Sequence, residues 1–251
     1  NAMPSSGGSI FVKEGIYPKF TLNKSKIYVE GTGEATQIKD AAHGVGGGLL
    51  INITQSSCSI SNLKVVCENT NWTGIQIANS QTNIILDKIF MDGGDFGATY
   101  GIFTDGSSMS RIIISECIIE NFAYGIYVGG SKNIISECVI NSCATAGMQT
   151  DGLINSTISA NTFSNSTGRG LILSDDNVSS DNNTISGNTA SGNGTQGIEI
   201  FGDCDNNILI GNTCTGNDIG IKLTVTGIRI PNKNMIMGNI CLSNTTSAIV
   251  D

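Results

Sequence analysis

Acidic residues recur at neighbouring places along the chain where their carboxylates could act together. Asp151 is followed by Asp175 and Asp176 and then by Asp203. Carboxylate pairs at separations of about 5 to 10 Å suit acid–base cleavage of a glycosidic bond, with one pKa raised by its neighbour. Such oxygen-rich clusters also bind Ca²⁺, and Asp commonly forms turns for structural reasons alone. Catalysis, Ca²⁺ binding and turn formation are therefore all open interpretations of these acids.

Aromatic and polar residues recur in the strand that precedes each acidic turn. They occupy two fixed positions of the repeat, as Tyr100 and Phe103 do in Tyr100-Gly101-Ile102-Phe103. The four aromatic residues are Tyr100, Phe103, Tyr124 and Tyr127. The faces of sugar rings stack on exposed aromatic rings, while nearby polar groups bind the hydroxyls. The polar residues that we predict to bind the same substrate are Gln149, Arg169, Glu199 and Asp203. The alternative is that the rings pack under a loop or against a neighbouring subunit.

A repeated phrase sets the positions of all these residues. It consists of a small residue, an aliphatic residue, a variable residue and usually another aliphatic residue. The copies begin at Gly74, Gly101, Gly125, Gly147, Gly170, Gly197, Gly220 and, in degenerate form, Ala248. The mean interval of about 25 residues marks a stacked-repeat protein. A second apolar–polar phrase lies about fourteen residues after each first one, and turn-forming residues separate the two.

The repeat predicts an all-β protein, a parallel β-helix of eight to nine coils of about 25 residues. We expect one domain over residues 1–251, with opening coils in 1–55 and regular coils in 56–251. A column of inward Asn residues should form a side-chain ladder between coils. Its members are Asn161, Asn188, Asn212 and Asn239. A β-sandwich would give no reason for the equal offsets.

Composition excludes some partners. Asp and Glu outnumber Lys and Arg by 21 to 13, so the net charge is −8, which argues against nucleic acid and anionic membrane surfaces. Nor is there an apolar run of membrane-spanning length, so we predict no membrane insertion. The eight Cys residues fit small core positions and are expected as free thiols, with disulfides as the alternative. Because both ends are abrupt, we expect a piece of a longer chain.

The first residues carry a family resemblance. The segments 7–17 (GGSIFVKEGIY) and 27–33 (IYVEGTG) resemble the opening coil of the pectin-lyase-like superfamily, and residues 1–4 resemble the tail of its capping helix. The resemblance implies a right-handed parallel β-helix. It also implies one of several functions, since the superfamily includes polysaccharide lyases, glycoside hydrolases, epimerases, phage tailspikes and non-catalytic surface proteins.

A second resemblance concerns the acids. Gln149-Thr150-Asp151-Gly152 and Ser174-Asp175-Asp176 resemble the N-T-D…D-D carboxylates of polygalacturonase-type hydrolases. The resemblance implies that Asp151, Asp175 and Asp176 are the catalytic acid and water-activating residues. Gln149 replaces the Asn of that motif, and the G-H-G and R-I-K elements are missing. The single histidine, His43, lies far upstream in a Gly-rich segment, and Arg229-Ile230-Pro231 only faintly resembles the R-x-P turn of lyases.

We therefore expect a polysaccharide-binding β-helix, acting as a glycoside hydrolase or lyase on an extended glycan. No cofactor is required, although Ca²⁺ is compatible with the acids. A homotrimer or flanking domains would complete the molecule, in the extracellular space or on a cell or virion surface. The alternative is a non-catalytic structural or adhesive segment of a phage tail fibre, tailspike or cell-surface protein.

Overall fold

The computed structural model describes residues 7–39, 48–69, 71–94 and 98–250. Within these ranges the regular elements are 27 β-strands, and strands of successive coils pair in parallel. The all-β parallel β-helix predicted from the repeat is confirmed, with about nine turns. The resemblance of residues 1–4 to a capping helix, and the interpretation of His43, concern residues outside these ranges.

Three faces run along the axis of the solenoid. Face A begins with two strands that precede the first phrase, β3 (Phe20–Leu22) and β5 (Gly48–Ile53). It continues with the strands that carry the first phrase: β7 (Trp72–Ile77), β9 (Ala98–Thr104), β12 (Phe122–Ser131), β15 (Ala146–Ile154), β18 (Arg169–Ser174), β21 (Gln196–Phe201), β24 (Ile219–Thr224) and β27 (Ser247–Val250). Successive strands of this face pair with one another.

Faces B and C hold the second phrase. Face B contains β1 (Gly8–Phe11), β10 (Ser110–Ser115), β13 (Ile134–Ser136), β16 (Thr157–Ser159), β19 (Thr184–Ser186), β22 (Ile208–Ile210) and β25 (Met235–Met237). Face C contains β2 (Gly15–Tyr17), β11 (Ile118–Glu120), β14 (Val139–Asn141), β17 (Thr162–Ser164), β20 (Thr189–Ser191), β23 (Thr213–Thr215) and β26 (Ile240–Leu242). Three long strands pass from face B to face C: β4 (Ile27–Lys39), β6 (Ser59–Val66) and β8 (Thr82–Asp92).

The glycine that opens each first phrase is required by close packing between coils. A Cβ at Gly147 would lie 2.7 Å from the carbonyl oxygen of Gly170, and one at Gly170 would lie 2.5 Å from that of Gly197. Inward side chains of face C crowd the same space, as Ile140 does at 2.4 Å from a Cβ at Gly125. Any larger residue would therefore force the coils apart. The repeated glycine that is visible in the sequence thus marks a close approach of one coil to the next.

Asn ladders lie at all three corners of the later coils. Asn188 Oδ1 accepts hydrogen bonds from the backbone N–H and the side-chain amide of Asn161, at 2.9 and 3.0 Å. This ladder was predicted. The other two ladders were not: one is Asn183, Asn207 and Asn234, and the other is Asn193, Asn217 and Asn244. Each ladder residue directly follows a left-handed turn residue, such as Gly187 before Asn188.

The interior of the coils is apolar and contains the cysteines. Seven of the eight Cys side chains are buried, Cys241 is half-buried, and all eight thiols are free, as predicted. Burial raises the pKa of the Cys67 and Cys143 thiols to about 12, so both are inert core residues at neutral pH. No helix in the described part of the chain has the length and apolar character to cross a membrane.

Candidate functional site

The four aromatic residues form a continuous platform on the outer side of face A. In the pairing of β9 with β12, Tyr124 lies beside Tyr100 and Tyr127 lies beside Phe103. The Tyr100 and Tyr124 rings are stacked with centroids 5.3 Å apart, and Phe103 lies 4.7 Å from Tyr100. We call these four residues the aromatic platform. The sequence repeat had predicted the grouping, and the structure brings all four rings together.

The platform is half-buried, so its rings are ordered but still reachable from solvent. Burial raises the pKa of the Tyr100 phenol, and the neighbouring Tyr124 adds to the effect. The pKa of Tyr127 is raised further, first by burial and then by the adjacent Asp151 carboxylate. Both phenols therefore stay neutral at physiological pH and can donate a hydrogen bond. Tyr127 meets Tyr124 edge-on, with centroids 6.0 Å apart.

Asp151 joins the platform to the turn that follows face A. The Tyr127 hydroxyl donates to Asp151 Oδ2 over 3.2 Å. Asn177 donates to the same carboxylate from its backbone and its side chain, the latter over 2.6 Å, and the Val178 N–H donates over 3.0 Å. All of these partners are uncharged. Asp151 thus organises the turn and at the same time holds one edge of the platform.

Asp176 is a second carboxylate whose charge acts on the Tyr127 hydroxyl. It is exposed, and its Oδ2 accepts a hydrogen bond from Gln149 Nε2 at 2.6 Å. The charge of Asp176, like that of Asp151, contributes to the raised pKa of Tyr127. Two carboxylates from successive coils therefore lie near one phenol, as the predicted column of acids requires.

Asp175 differs from these two acids because its side chain is buried. Only 4% of it is exposed. Its Oδ2 accepts a 3.1 Å ion-pair hydrogen bond from Arg229 and a 2.9 Å hydrogen bond from the backbone of Asp203. Gly202 makes room for this carboxylate, since a Cβ there would lie 2.2 Å from it. The Asp203 carboxylate is exposed and accepts from the backbone of Ile230.

Arg169 and Glu199 form a second ion pair on face A, again with a buried carboxylate. Arg169 Nε donates to Glu199 Oε2 over 2.5 Å, and the Thr224 hydroxyl donates to the other carboxylate oxygen. Glu199 is 1% exposed although the strand alternation points it outward. Gln149 and Ile172 in the same column are also buried, at 8% and 5% exposed. Outward-pointing residues of a β-helix strand are expected to be exposed, and these three are not; Gln149 and Glu199 are held by side chains of other coils.

The described residues do not offer a ready metal site. No group of three or more His, Cys, Asp or Glu side chains in those ranges is arranged to hold a metal ion. Arg229, Thr224 and Asn177 were not predicted as partners of the site. Arg229 lies 54 residues from its partner Asp175, so the repeat offers no signal that would pair them.

Comparison with known families supports the architecture. The model of the family described as "right handed beta helix region" matches residues 100–250, which is more than half of the chain. The chain belongs to this family. The match covers the aromatic platform and every acid discussed above. No curated protein sequence matches the chain.

Solved structures of other proteins resemble the chain in fold. The A-module of mannuronan C-5 epimerase AlgE6 from Azotobacter vinelandii is 14% identical, with a TM-score of 0.76 over 98% of this chain and 70% of that one. The enzymatically active domain of tailspike protein 2 from bacteriophage CBA120 is 15% identical, with a TM-score of 0.76 over 93% of this chain and 39% of that one. DFA-IIIase from Arthrobacter chlorophenolicus A6 is 14% identical, with a TM-score of 0.64 over 97% and 81%. At these identities the likeness shows the fold alone.

Proposed function

We propose that face A binds an extended polysaccharide, with a sugar ring stacked on the aromatic platform. The observation that carries this proposal is the clustering of four half-exposed rings, with neighbouring centroids 4.7 to 6.0 Å apart, next to hydrogen-bonding groups. Rings of this kind present an apolar face, and the polar groups at its edge fix the orientation of a ligand.

The polar groups around the platform suit sugar hydroxyls. Asp151 and Asp176 supply acceptors at one edge, and the buried Gln149 orients Asp176. Arg169 lies on face A two coils beyond Tyr124, at the same position of the strand. Charge-assisted hydrogen bonds from hydroxyls to carboxylates are stronger than neutral ones. The similar fold of a mannuronan C-5 epimerase, whose name gives a polysaccharide, supports a polymeric sugar ligand without indicating the charge of that ligand. We extend the proposal to an extracellular, cell-surface or virion-surface location and to a homotrimer or a chain with flanking domains.

Hydrolysis of the bound polymer is the second candidate function. It is favoured by one observation: Asp151 accepts a hydrogen bond from the Tyr127 hydroxyl, and Asp176, from the next coil, also acts on that hydroxyl through its charge. Two carboxylates from neighbouring coils are the groups that such hydrolysis uses. Asp175, the third predicted catalytic acid, would have to release Arg229 to take part. Asp176→Asn should abolish release of reducing ends while retaining binding, if hydrolysis occurs.

Binding is tested by removing the rings one at a time. Tyr100→Ala and Tyr124→Ala should each weaken binding to a polysaccharide array by at least about tenfold, as truncation of a central aromatic contact does. Tyr124→Phe keeps the stacked ring and should bind like the wild type. Tyr28→Ala is the matched control, because Tyr28 is 48% exposed but lies on β4, away from face A.

Affinity is measured by calorimetry on each polymer that the array identifies, with melting curves to show that the variants are folded. An intact wild-type protein that binds no polysaccharide would contradict the proposal. So would equal affinity of the wild type and of both alanine variants on face A.

A further inference from the structure

The charges on face A bear on which polysaccharides the platform accepts. Both guanidinium groups near the platform are already neutralised by buried carboxylates. Arg169 is held by Glu199 and Arg229 by Asp175, and the two carboxylates have side chains only 2% and 3% exposed. A buried carboxylate that lost its cation would be left with a large desolvation cost. These two Arg side chains are therefore tied to their partners and bring no net positive charge to the face.

The acids that remain beside the platform have no cation of their own. The hydrogen-bond partners of Asp151 and Asp176 are a phenol, amides and backbone N–H groups. No salt bridge among the described residues involves either carboxylate. Asp105 and Asp203 add two exposed acids in the same row of turns.

Lys222 is too distant to offset the charges of Asp151 and Asp176. It lies in the same column as Gln149, three coils further along face A. At about 4.8 Å per coil Lys222 is roughly 14 Å from the coil of Asp151 and roughly 10 Å from the coil of Asp176, beyond the screening length of about 8 Å at physiological salt. Two carboxylates that have no salt-bridge partner among the described residues therefore border the platform.

We infer that the platform accepts an uncharged polysaccharide and rejects polyuronates. The two carboxylates accept hydrogen bonds from sugar hydroxyls, whereas the carboxylate of a uronate would meet two like charges next to half-buried rings. This inference rests on the proposed function, since it concerns the same site. It adds the class of sugar that the site selects.

The experiment compares polymers that differ mainly in their charge. Polygalacturonate is compared with its carboxyl-reduced, uncharged form, within a panel of neutral glucans, galactans and fructans. We expect at least one neutral polymer to bind at least about tenfold more tightly than any polyuronate. Raising the salt concentration should leave neutral binding unchanged and should strengthen the weak polyuronate binding by screening the repulsion.

A charge-removing variant tests the cause. Asp176→Asn keeps the oxygen that accepts from Gln149 and should raise the affinity for polygalacturonate severalfold. Tighter binding of polygalacturonate than of every neutral polymer, weakened by salt, would overturn the inference while leaving the proposed function intact. Absence of binding to either class, by a folded protein, would overturn the proposed function and the inference with it.

Discussion

The Tyr127 hydroxyl is the group at which the aromatic platform meets the acidic turn. It donates to Asp151 and lies within the field of Asp176, and both carboxylates raise its pKa beyond the effect of burial. The phenol therefore remains a hydrogen-bond donor throughout the physiological range. Its proton keeps Asp151 oriented, so that ring packing and turn geometry depend on each other.

Asp181 offers a direct test of the electrostatics of the turns. Burial is the main reason that its pKa is raised above 3.8, and the neighbouring Asp205 and Asp203 charges add to the rise. A pKa raised by folding means that the folded state binds the proton more tightly than the unfolded state does. This contribution to stability is complete below about pH 3.8 and is lost as the pH rises through the folded-state pKa.

Asp181→Asn should therefore be more stable than the wild type at pH 7. Asn keeps the Oδ1 atom that accepts a 2.7 Å hydrogen bond from the backbone of Asp205 and removes the charge. We expect a higher Tm at pH 7, with the difference shrinking as the pH falls towards 4, in melting curves across this range. Asp105→Asn is the control, because Asp105 is exposed. A lower Tm for Asp181→Asn at pH 7 would show that its charge is stabilising.

At the scale of the elements, the Asn ladders fix the corners of the later coils. Asn188 takes two hydrogen bonds from Asn161, and its own amide donates to the Ile158 carbonyl at 2.9 Å and to Asn212 at 3.0 Å. Every polar atom of this buried side chain is thereby satisfied. The ladder ends at Cys138, whose N–H donates to Asn161 Oδ1.

Asn188→Ala should break the ladder at its centre. The backbone N–H and the side-chain amide of Asn161 would lose their acceptor inside the protein. Each unsatisfied group lowers the stability by about 1–3 kcal/mol. We expect the free energy of unfolding, measured with urea, to fall by about 3–5 kcal/mol. Asn239→Ala is the matched control at a half-buried position of the same ladder, and it should cost less. Equal losses for both variants would contradict the account of the ladder.

The elements that repeat were predictable from the sequence, and those that do not repeat were not. The phrase that begins at Gly147 and the column of Asn residues that contains Asn188 predicted the coil and its register, because the same packing recurs in each turn. The second and third ladders carry the same turn-then-Asn pattern and could have been found in the same way. By contrast, the ion pair of Asp175 with Arg229 could not be predicted, because it joins turns of different length. The burial of Glu199 could not be predicted either, because the alternation along β21 gives only the direction of its side chain.

At the scale of the whole molecule, the three faces carry different types of side chain. Face A carries the aromatic platform, the acids and the two Arg ion pairs. On faces B and C the outer positions of β16, β17, β19, β20 and β23 are hydroxyl-bearing residues: Thr157, Ser159, Thr162, Ser164, Thr184, Ser186, Thr189, Ser191, Thr213 and Thr215. Because coils stack in register, face A presents its groups as one strip parallel to the axis. An extended polymer lying along the strip would contact several coils at once.

The central claim is that this strip is where a polysaccharide binds. The most direct measurement is a crystal structure of the protein with an oligosaccharide from a polymer that it binds. We predict a sugar ring stacked on Tyr100 or Tyr124, with hydroxyl groups in hydrogen-bond contact with Asp151 or Asp176. An oligosaccharide bound on face B or face C, with the aromatic platform free, would contradict the account.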